Sequence, residues 1–158
     1  MSIGPFPPDI SLALDNDVLN NWRTGNPAIV AAITDYVRVA KGPPALTSIT
    51  VFEMMHGFEN TILRKGTSER LERDLSHARD LTRECLVLPF NQEAAEIAAH
   101  IFPRLSKKEQ KDHGKDVFMA ATVVAHQYGI ATRNNKDFEL IAKHVPAHYP
   151  ALRIEVWK

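Results

Sequence analysis

Short apolar runs alternate along this chain with longer segments whose apolar residues recur at helical spacing. The short runs are bounded by turn-forming polar residues, glycine or proline, which is typical of strands. Strands and helices that alternate on this scale indicate βαβ units and a mostly parallel sheet with helices on both faces. The sequence therefore predicts an α/β fold, a three-layer α/β/α sandwich, with strands at 9–14, 45–50, 84–90, 130–132 and 152–156.

Capping residues mark the starts of several predicted helices. Asn26-Pro27 combines a capping side chain with a proline at the first helical position. Asn91 offers a similar cap before QEAAEIAAHIF, and Ser48 or Thr50 would cap the helix that follows the second strand. The pattern predicts a short helix up to Trp22 and longer ones over 28–41, 51–65, 67–83, 92–102, 117–128 and 135–145, with 106–114 as a polar loop or a short helix.

Oxygen-bearing side chains stand at four of the predicted strand-to-helix junctions. The carboxyl ends of parallel strands gather along one edge of a sheet, so side chains placed there converge in space. Two carboxylates ~5 Å apart repel by roughly 3 kcal/mol at an effective dielectric of ~20, and hard cations such as Mg²⁺ accept such oxygen ligands. The sequence therefore predicts a metal-dependent enzyme at this edge, with candidate residues Asp15, Glu53, Asp116 (which would open the apolar helix VFMAATVVAHQY) and the pair Asn134 and Asp137.

Each candidate also has an ordinary structural interpretation. An Asp after a strand is often a turn former or a cap, and Asp17 is best interpreted as the cap of the first helix. Asp116 suits an N-cap, and Glu53 lies where a carboxylate interacts favourably with the helix dipole. The functional interpretation depends on the conjunction of four junctions, and on the apolar neighbours of Glu53, which include Phe52 and Met54.

Composition narrows the class of protein without naming a partner. The 158 residues suit one domain, and the formal net charge of zero excludes a polycation. The single cysteine, Cys85, is expected in the core and suits a reducing cytoplasm. No stretch approaches the ~18 apolar residues of a membrane span, and the N-terminal residues lack the pattern of a signal peptide. We therefore expect a cytoplasmic protein with no membrane contact, which would meet nucleic acid only through a local basic patch.

Four segments carry a family resemblance: LALDNDVL, SITVFEMMHG, DVFMAATVVAHQYGIATRNNKDFELI and LRIEVW, which together span Leu12 to Trp157. The third is the most specific, since it joins an Asp, a small-residue helix, a Gly and the motif T-x-N-x-x-[DE]-F. These segments resemble PIN-domain ribonucleases, specifically the VapC toxins of toxin–antitoxin modules. One departure is Asn16-Asp17, where that family usually has Thr-Asn or Thr-Ser.

The resemblance implies a fold, a reaction, a cofactor and partners. It implies a single PIN-like domain over 1–158, with 1–9 as an extended N-terminal extension, and hydrolysis of phosphodiester bonds in RNA. Its metal-binding acids fall on Asp15, Glu53 and Asp116, which would hold Mg²⁺ or Mn²⁺, and either Asn134 or Asp137 fills the fourth position. It implies an RNA substrate (transfer RNA is common for such toxins), a cognate antitoxin of a type II toxin–antitoxin pair, and a homodimer.

Two other functions stay open from the residues alone. Asp15-Asn16-Asp17 after an apolar strand also resembles the start of HAD-type phosphohydrolases, with Asp15 as nucleophile. That reaction needs a hydroxyl after the second strand, which Thr47 or Ser48 offers. It also needs a suitably placed Lys and a pair of acids late in the chain, and DVFMAATVV does not supply that pair. The other alternative is a non-catalytic PIN-like module that binds RNA or protein, against which the retention of three acids argues.

Overall fold

The strands of the computed structural model, which describes residues 11–158, form one parallel sheet. They pair in the orders β1-β4-β5 and β2-β3, and a parallel bridge between Ala13 and Ala45 joins these two groups. The combined order is therefore β3-β2-β1-β4-β5, with β1 at the centre. The strands are β1 (Leu12–Leu14), β2 (Leu46–Thr47), β3 (Val87–Leu88), β4 (Gly129–Thr132) and β5 (Ile154–Val156).

Seven helices connect these strands within residues 11–158. Asn26 and Asn91 cap the second and fifth, as the sequence predicts: each side chain accepts hydrogen bonds from the first turn. Gly66 ends the third helix with φ of 75°, a conformation that favours glycine. The helices are α1 (Asn16–Arg23), α2 (Pro27–Ala40), α3 (Ser48–Lys65), α4 (Glu69–Glu84), α5 (Gln92–Ile101), α6 (Lys107–Ala125) and α7 (Asn135–Ala142), with a 3₁₀ turn at Phe102–Arg104.

Apolar side chains of the sheet alternate between two cores. Along β1, Leu12 and Leu14 pack with buried residues of α1 to α4, while Ala13 packs with those of α5 to α7. In β4, Ile130 and Ala131 divide in the same way. This period of two is the side-chain geometry of a strand, and it places a helical layer on each face. The three-layer α/β/α sandwich predicted from the sequence is confirmed.

Two caps near the sheet edge differ from the prediction. The second strand is shorter than 45–50 because the Oγ1 of Thr47 accepts the backbone N–H of Thr50 at 3.1 Å, which starts α3 at Ser48. Thr47 is therefore the cap, and neither Ser48 nor Thr50. Similarly, Asp15 caps α1, with its backbone extended at φ −67° and ψ 160°. Asp17 lies in the first turn of that helix, so its predicted capping role is wrong.

The largest difference concerns the segment before Asp116. Residues 107–114 belong to α6, which starts at a capping box between Ser106 and Glu109. The helix bends at His113, whose φ of −122° and ψ of 16° are not helical. Asp116 therefore lies inside a helix, just after a bend, and does not cap one. Of the two alternatives predicted for 106–114, the helix is therefore correct, but it continues through the bend into the apolar helix.

Other parts of the sequence prediction are tested less fully. The extension at 1–9 and the start of the first predicted strand lie outside the described residues. Cys85 is buried, as expected. Between residues 11 and 158, no helix combines the length and the apolar character that a membrane span requires.

Candidate functional site

The carboxyl ends of β1 and β4 meet where the chain leaves the sheet in two directions. α1 follows β1 and packs in one core, whereas α7 follows β4 and packs in the other. In a parallel sheet such a switch point opens a crevice beyond the strand ends, where ligands bind. Asp15 follows β1 there, and its backbone N–H donates to the carbonyl of Ala131 in β4 at 2.9 Å.

Asp15 is held in one orientation by two hydrogen bonds. Its Oδ1 accepts the N–H of Asn16 at 2.7 Å, and its Oδ2 accepts the hydroxyl of Thr132, the last residue of β4, at 2.8 Å. Burial, and to a smaller degree the charges of Asp17 and Asp116, raises the pKa of Asp15 to about 7, although both hydrogen bonds oppose the shift. An ionised Asp15 is therefore costly unless a cation lies nearby.

Glu53 occupies the second turn of α3 and is partly buried. Its Oε1 is buried without a hydrogen-bond partner among the described residues. Burial raises the pKa of Glu53, and the charge of Lys115 lowers it to a smaller extent. Glu53 and Asp116 line the same cleft, of about 410 Å³, together with Lys111 and Lys115. The structure thus brings two predicted ligands from distant segments onto one surface.

The bend in α6 and the start of α7 place a third group beside this cleft. The Nδ1 of His113 lies 3.7 Å from Oδ2 of Asp116 and 3.8 Å from Oδ1 of Asp137. Within residues 11–158, these three are the one group of His, Cys, Asp or Glu whose ligand atoms all lie within 4.8 Å of one another. Burial, then the charges of Asp137 and Glu53, raises the pKa of Asp116 to about 6, and His113 opposes the shift.

The predicted residues are therefore gathered at one edge but not at one point. Asp116 and Asp137 share His113, whereas Asp15 and Glu53 stay outside the 4.8 Å group. The charge of Glu53 nevertheless raises the pKa of Asp116, and the charge of Asp116 raises the pKa of Asp15. All four acids are therefore close enough to interact electrostatically. Asn134 lies beside Asp137: its Nδ2 donates to Oδ2 of Asp137 at 3.1 Å.

Two residues of the site received no role from the sequence. Thr132 is fully buried, and its hydroxyl links the two strands by donating to Asp15 while it accepts the N–H of Asn134 at 3.1 Å. The signal for Thr132 was its place as the first residue of the T-x-N motif. His113 lies three positions before Asp116, and the bend that turns its ring toward Asp137 has no evident sequence signal.

Arg133 and Lys115, two basic residues close in sequence to the candidate acids, have different surroundings. The Nη1 of Arg133 donates to Oδ1 of Asn21 in α1 at 2.8 Å, so Arg133 ties the β4–α7 loop to α1. Lys115 lies beside the cleft, with its Nζ 5.9 Å from the ring centre of Phe52. Of the two, Lys115 is the one that lines the acidic cleft.

Solved structures of toxin–antitoxin complexes resemble this chain over most of its length. A chain of VapBC2 from Rickettsia felis, bound to a promoter DNA fragment, is 15% identical with a TM-score of 0.67, covering 94% of this chain and 100% of that one. A chain of DNA-bound VapBC from Salmonella typhimurium is 21% identical with a TM-score of 0.65, covering 94% and 99%. A chain of VapBC-1 from nontypeable Haemophilus influenzae is 19% identical with a TM-score of 0.63, covering 94% and 98%.

These similarities define the class of fold. No family model matches the chain, and no curated protein matches it. At identities this low, shared structure establishes the architecture, whereas activity depends on the site. The resemblance to VapC toxins seen in the sequence is confirmed at the level of the fold, which is PIN-like α/β/α.

Proposed function

We propose that this chain is a metal-dependent endoribonuclease and the toxin of a type II toxin–antitoxin pair. One observation carries the proposal: acids from four distant segments gather at the β1–β4 switch point, and two of them have a pKa raised to about 6 or 7. Such an arrangement is unfavourable without a cation, and strongly shifted carboxyls in a crevice are typical of functional sites. The four acids are Asp15, Glu53, Asp116 and Asp137.

The residues present fit a hard divalent cation. Carboxylates are the ligands that Mg²⁺ and Mn²⁺ prefer, and the unpartnered Oε1 of Glu53 offers an oxygen that the protein itself does not use. When bound, Mg²⁺ or Mn²⁺ would lower the pKa of a water and neutralise charge on the attacked phosphate. Asp116 and Glu53 would hold the cation from the cleft, and Asp15 from the strand end, in the orientation that Thr132 imposes.

For the fourth acidic position we infer Asp137. Its Oδ1 faces the same His113 nitrogen as Asp116 does, whereas Asn134 donates its amide N–H to Asp137. A donated amide proton orients the carboxylate and leaves its other oxygen available. Asn134 is thus a positioning residue for Asp137, in the way that outer hydrogen-bond partners orient metal ligands.

RNA would enter the cleft past its two lysines. Lys111 and Lys115 both line it, and they offer positive charge for the phosphate backbone in a chain whose formal net charge is zero. The cleft is open at the surface, so an RNA chain that continues on both sides of the cleaved bond can be accommodated. We therefore assign endonucleolytic cleavage, with structured RNAs such as transfer RNA as the first substrates to test.

A protein partner is the second part of the proposal. The similar solved structures are of toxin–antitoxin complexes, which supports a cognate antitoxin for this chain. α3 leaves two large apolar side chains exposed, Phe52 at 55% and Leu63 at 84%, and exposed apolar residues on one helix suit contact with another protein. We infer an antitoxin and a homodimer in a reducing, cytoplasmic setting, consistent with the unpaired Cys85.

The structure disfavours the phosphohydrolase alternative. That reaction needs a free hydroxyl after β2, but Thr47 is fully buried and caps α3. The hydroxyl oxygen of Ser48 accepts the backbone N–H of Phe90 at 3.1 Å. Both hydroxyls are thus engaged in holding the fold.

The test is RNA cleavage by the purified chain, with a transfer RNA pool and an unstructured RNA as substrates. We expect cleavage with Mg²⁺ or Mn²⁺, none with EDTA, and none for Asp116→Asn. The matched control is Asp35→Asn, which removes an exposed carboxylate paired with Arg38 on α2 and should keep full activity. Full activity of Asp116→Asn at saturating Mg²⁺ would overturn the assignment, and a folded wild-type chain that cuts no RNA would favour the non-catalytic module.

A further inference from the structure

A second cavity adjoins the acidic cleft on the other side of Glu53. It has a volume of about 310 Å³ and lies between α1, α3 and α4. Glu53 lines both this cavity and the cleft that contains Asp116. A ligand held here would therefore have only Glu53 between it and whatever occupies the acidic cleft. We call it the α1–α3 pocket, defined by Asn16, Arg23, Glu53, Gly57 and Phe58.

Three side-chain atoms of residues that line the pocket are buried without a hydrogen-bond partner among the described residues. Within residues 11–158, four buried side-chain atoms have no hydrogen-bond partner, and three of them belong to residues that line this pocket. They are Oδ1 of Asn16, Nε of Arg23 and Oε1 of Glu53. Buried polar groups of native proteins are normally paired. The proposed cation accounts for Oε1 of Glu53, which leaves Nε of Arg23, a donor, and Oδ1 of Asn16, an acceptor, for a polar ligand in this cavity.

The apolar part of the wall suits a flat ligand. The guanidinium carbon of Arg23 lies 5.3 Å from the ring centre of Phe58, so a planar cation and an aromatic ring stand together at the pocket. Unpaired RNA bases stack on such guanidinium planes and aromatic rings, and they form hydrogen bonds through their Watson–Crick edges. The volume lies near the lower limit of about 300 Å³ for small-ligand sites, which suits a single base.

We propose that the α1–α3 pocket binds one unpaired base of the RNA, next to the phosphodiester bond that the acidic cleft cleaves. This inference rests on the proposed function and adds the recognition element to it. The Watson–Crick edge of each base presents a donor beside an acceptor, and the residues that line the pocket hold one unpaired donor, Nε of Arg23, and one unpaired acceptor, Oδ1 of Asn16. A base extruded from its stack is read in this way by enzymes that act on nucleic acid.

Gly57 allows a test that leaves the acids and the polar wall intact. Gly57 lines the pocket inside α3, and a Cβ added there meets no atom within 4 Å. Gly57→Ala and Gly57→Leu should therefore fold, since both residues favour a helix more than glycine does. Leucine would fill the pocket and alanine would fill less of it. The matched control is Glu59→Leu, because Glu59 is exposed and does not line the pocket.

The first readout is cleavage of a random-sequence RNA pool, with the cut ends sequenced. We expect the wild type to prefer one base beside the cut. Gly57→Leu should lose that preference and lower kcat/KM on the preferred sequence by roughly 10-fold or more, as expected when base stacking is lost. Gly57→Ala should fall between the two, and Glu59→Leu should match the wild type. An unchanged preference and rate in Gly57→Leu would overturn the proposal.

The second readout separates this inference from the nuclease assignment. Short single-stranded homopolymers of the four ribonucleotides are titrated against the wild type and Gly57→Leu, in EDTA, so that no cleavage is involved. Tighter binding of one homopolymer to the wild type, reduced about 10-fold by Gly57→Leu, supports the pocket even if the chain cuts no RNA. Equal binding by both proteins contradicts it, and so does a pocket substitution that weakens only the binding of a protein partner.

Discussion

The two sides of the crevice hold their acids in different ways. On the sheet side, Asp15 is locked by the hydroxyl of Thr132 and the N–H of Asn16. On the helix side, Asp116 and Asp137 face each other across His113, at 3.7 and 3.8 Å, and remain 25% and 33% exposed. Asp15 is therefore fixed in one orientation, whereas the two acids on the helix side stay accessible, and the proposed function makes them the ligands that a substrate can still reach.

Removing a ligand from the open side should have the largest effect. Asp116→Asn keeps the size of the side chain but removes the charge that a divalent cation requires. We expect kcat/KM for RNA cleavage to fall by at least about 10³-fold, measured at saturating Mg²⁺. Activity within about 10-fold of the wild type would show that the helix side does not hold the metal.

Removing the hydrogen bond that orients Asp15 should lower kcat/KM less. Thr132→Val removes the hydroxyl that orients Asp15 and keeps the shape of the side chain. Loss of an outer hydrogen-bond partner typically lowers metal affinity or activity about 10–100-fold, and we expect a loss in this range, measured as metal-dependent kcat/KM. The control is Thr122→Val, because Thr122 is equally buried but bonds only to the carbonyl of Phe118 in α6. An equal loss in both variants would mean that the effect is structural.

Stability without metal should depend on pH with a definite sign. Burial raises the pKa of Asp15 to about 7 and that of Asp116 to about 6, from 3.8. Because the folded state holds these protons more tightly than the unfolded chain does, the protonated carboxyls stabilise the folded state. This stabilisation is fully present below about pH 4 and is lost as the pH rises through 6 to 7. In EDTA we expect a lower Tm at pH 8 than at pH 5, and a smaller difference in Asp15→Asn.

Metal should reverse that trend. Because the ligands bind as carboxylates, metal affinity rises with pH, so Mn²⁺ should raise the Tm more at pH 8 than at pH 5. Thermal unfolding with and without Mn²⁺ measures both effects. If the Tm depended on pH identically in the wild type and in Asp15→Asn, the pKa of Asp15 would not be raised in the folded state.

The smallest effect concerns repulsion on the open side. Asp116→Asn removes a charge that lies near Asp137 and Glu53, so the metal-free variant should be more stable than the wild type. We expect a gain of about 1 kcal/mol, which is about 2–4 °C in Tm for a chain of this size, measured in EDTA at pH 8. An unchanged or lower Tm would argue against clustering of the acids.

The sequence predicted what depends on local patterns. The order of strands and helices, the caps at Asn26 and Asn91, and the candidate acids follow from periodicity and residue type, and the sheet topology then gathers those acids at one edge. The strand ends do not follow, because the predicted strands 45–50 and 84–90 shorten to Leu46–Thr47 and Val87–Leu88. The sequence of 106–114 is equally compatible with a loop and with a helix. The bend at His113 therefore depends on how the two halves of α6 pack. The link from Thr132 to Asp15 joins residues 117 positions apart, and only the pairing of β1 with β4 creates it.

The most direct measurement is the position of bound Mn²⁺ in crystals of the wild-type chain, located by anomalous scattering. We predict an ion about 2.2 Å from an oxygen of Asp116, with further ligands from Asp15, Glu53 or Asp137. The same experiment on Asp116→Asn should lose that ion. Ordered Mn²⁺ bound only by acids away from the β1–β4 switch point, with the crevice empty at saturating concentration, would contradict a metal-dependent nuclease.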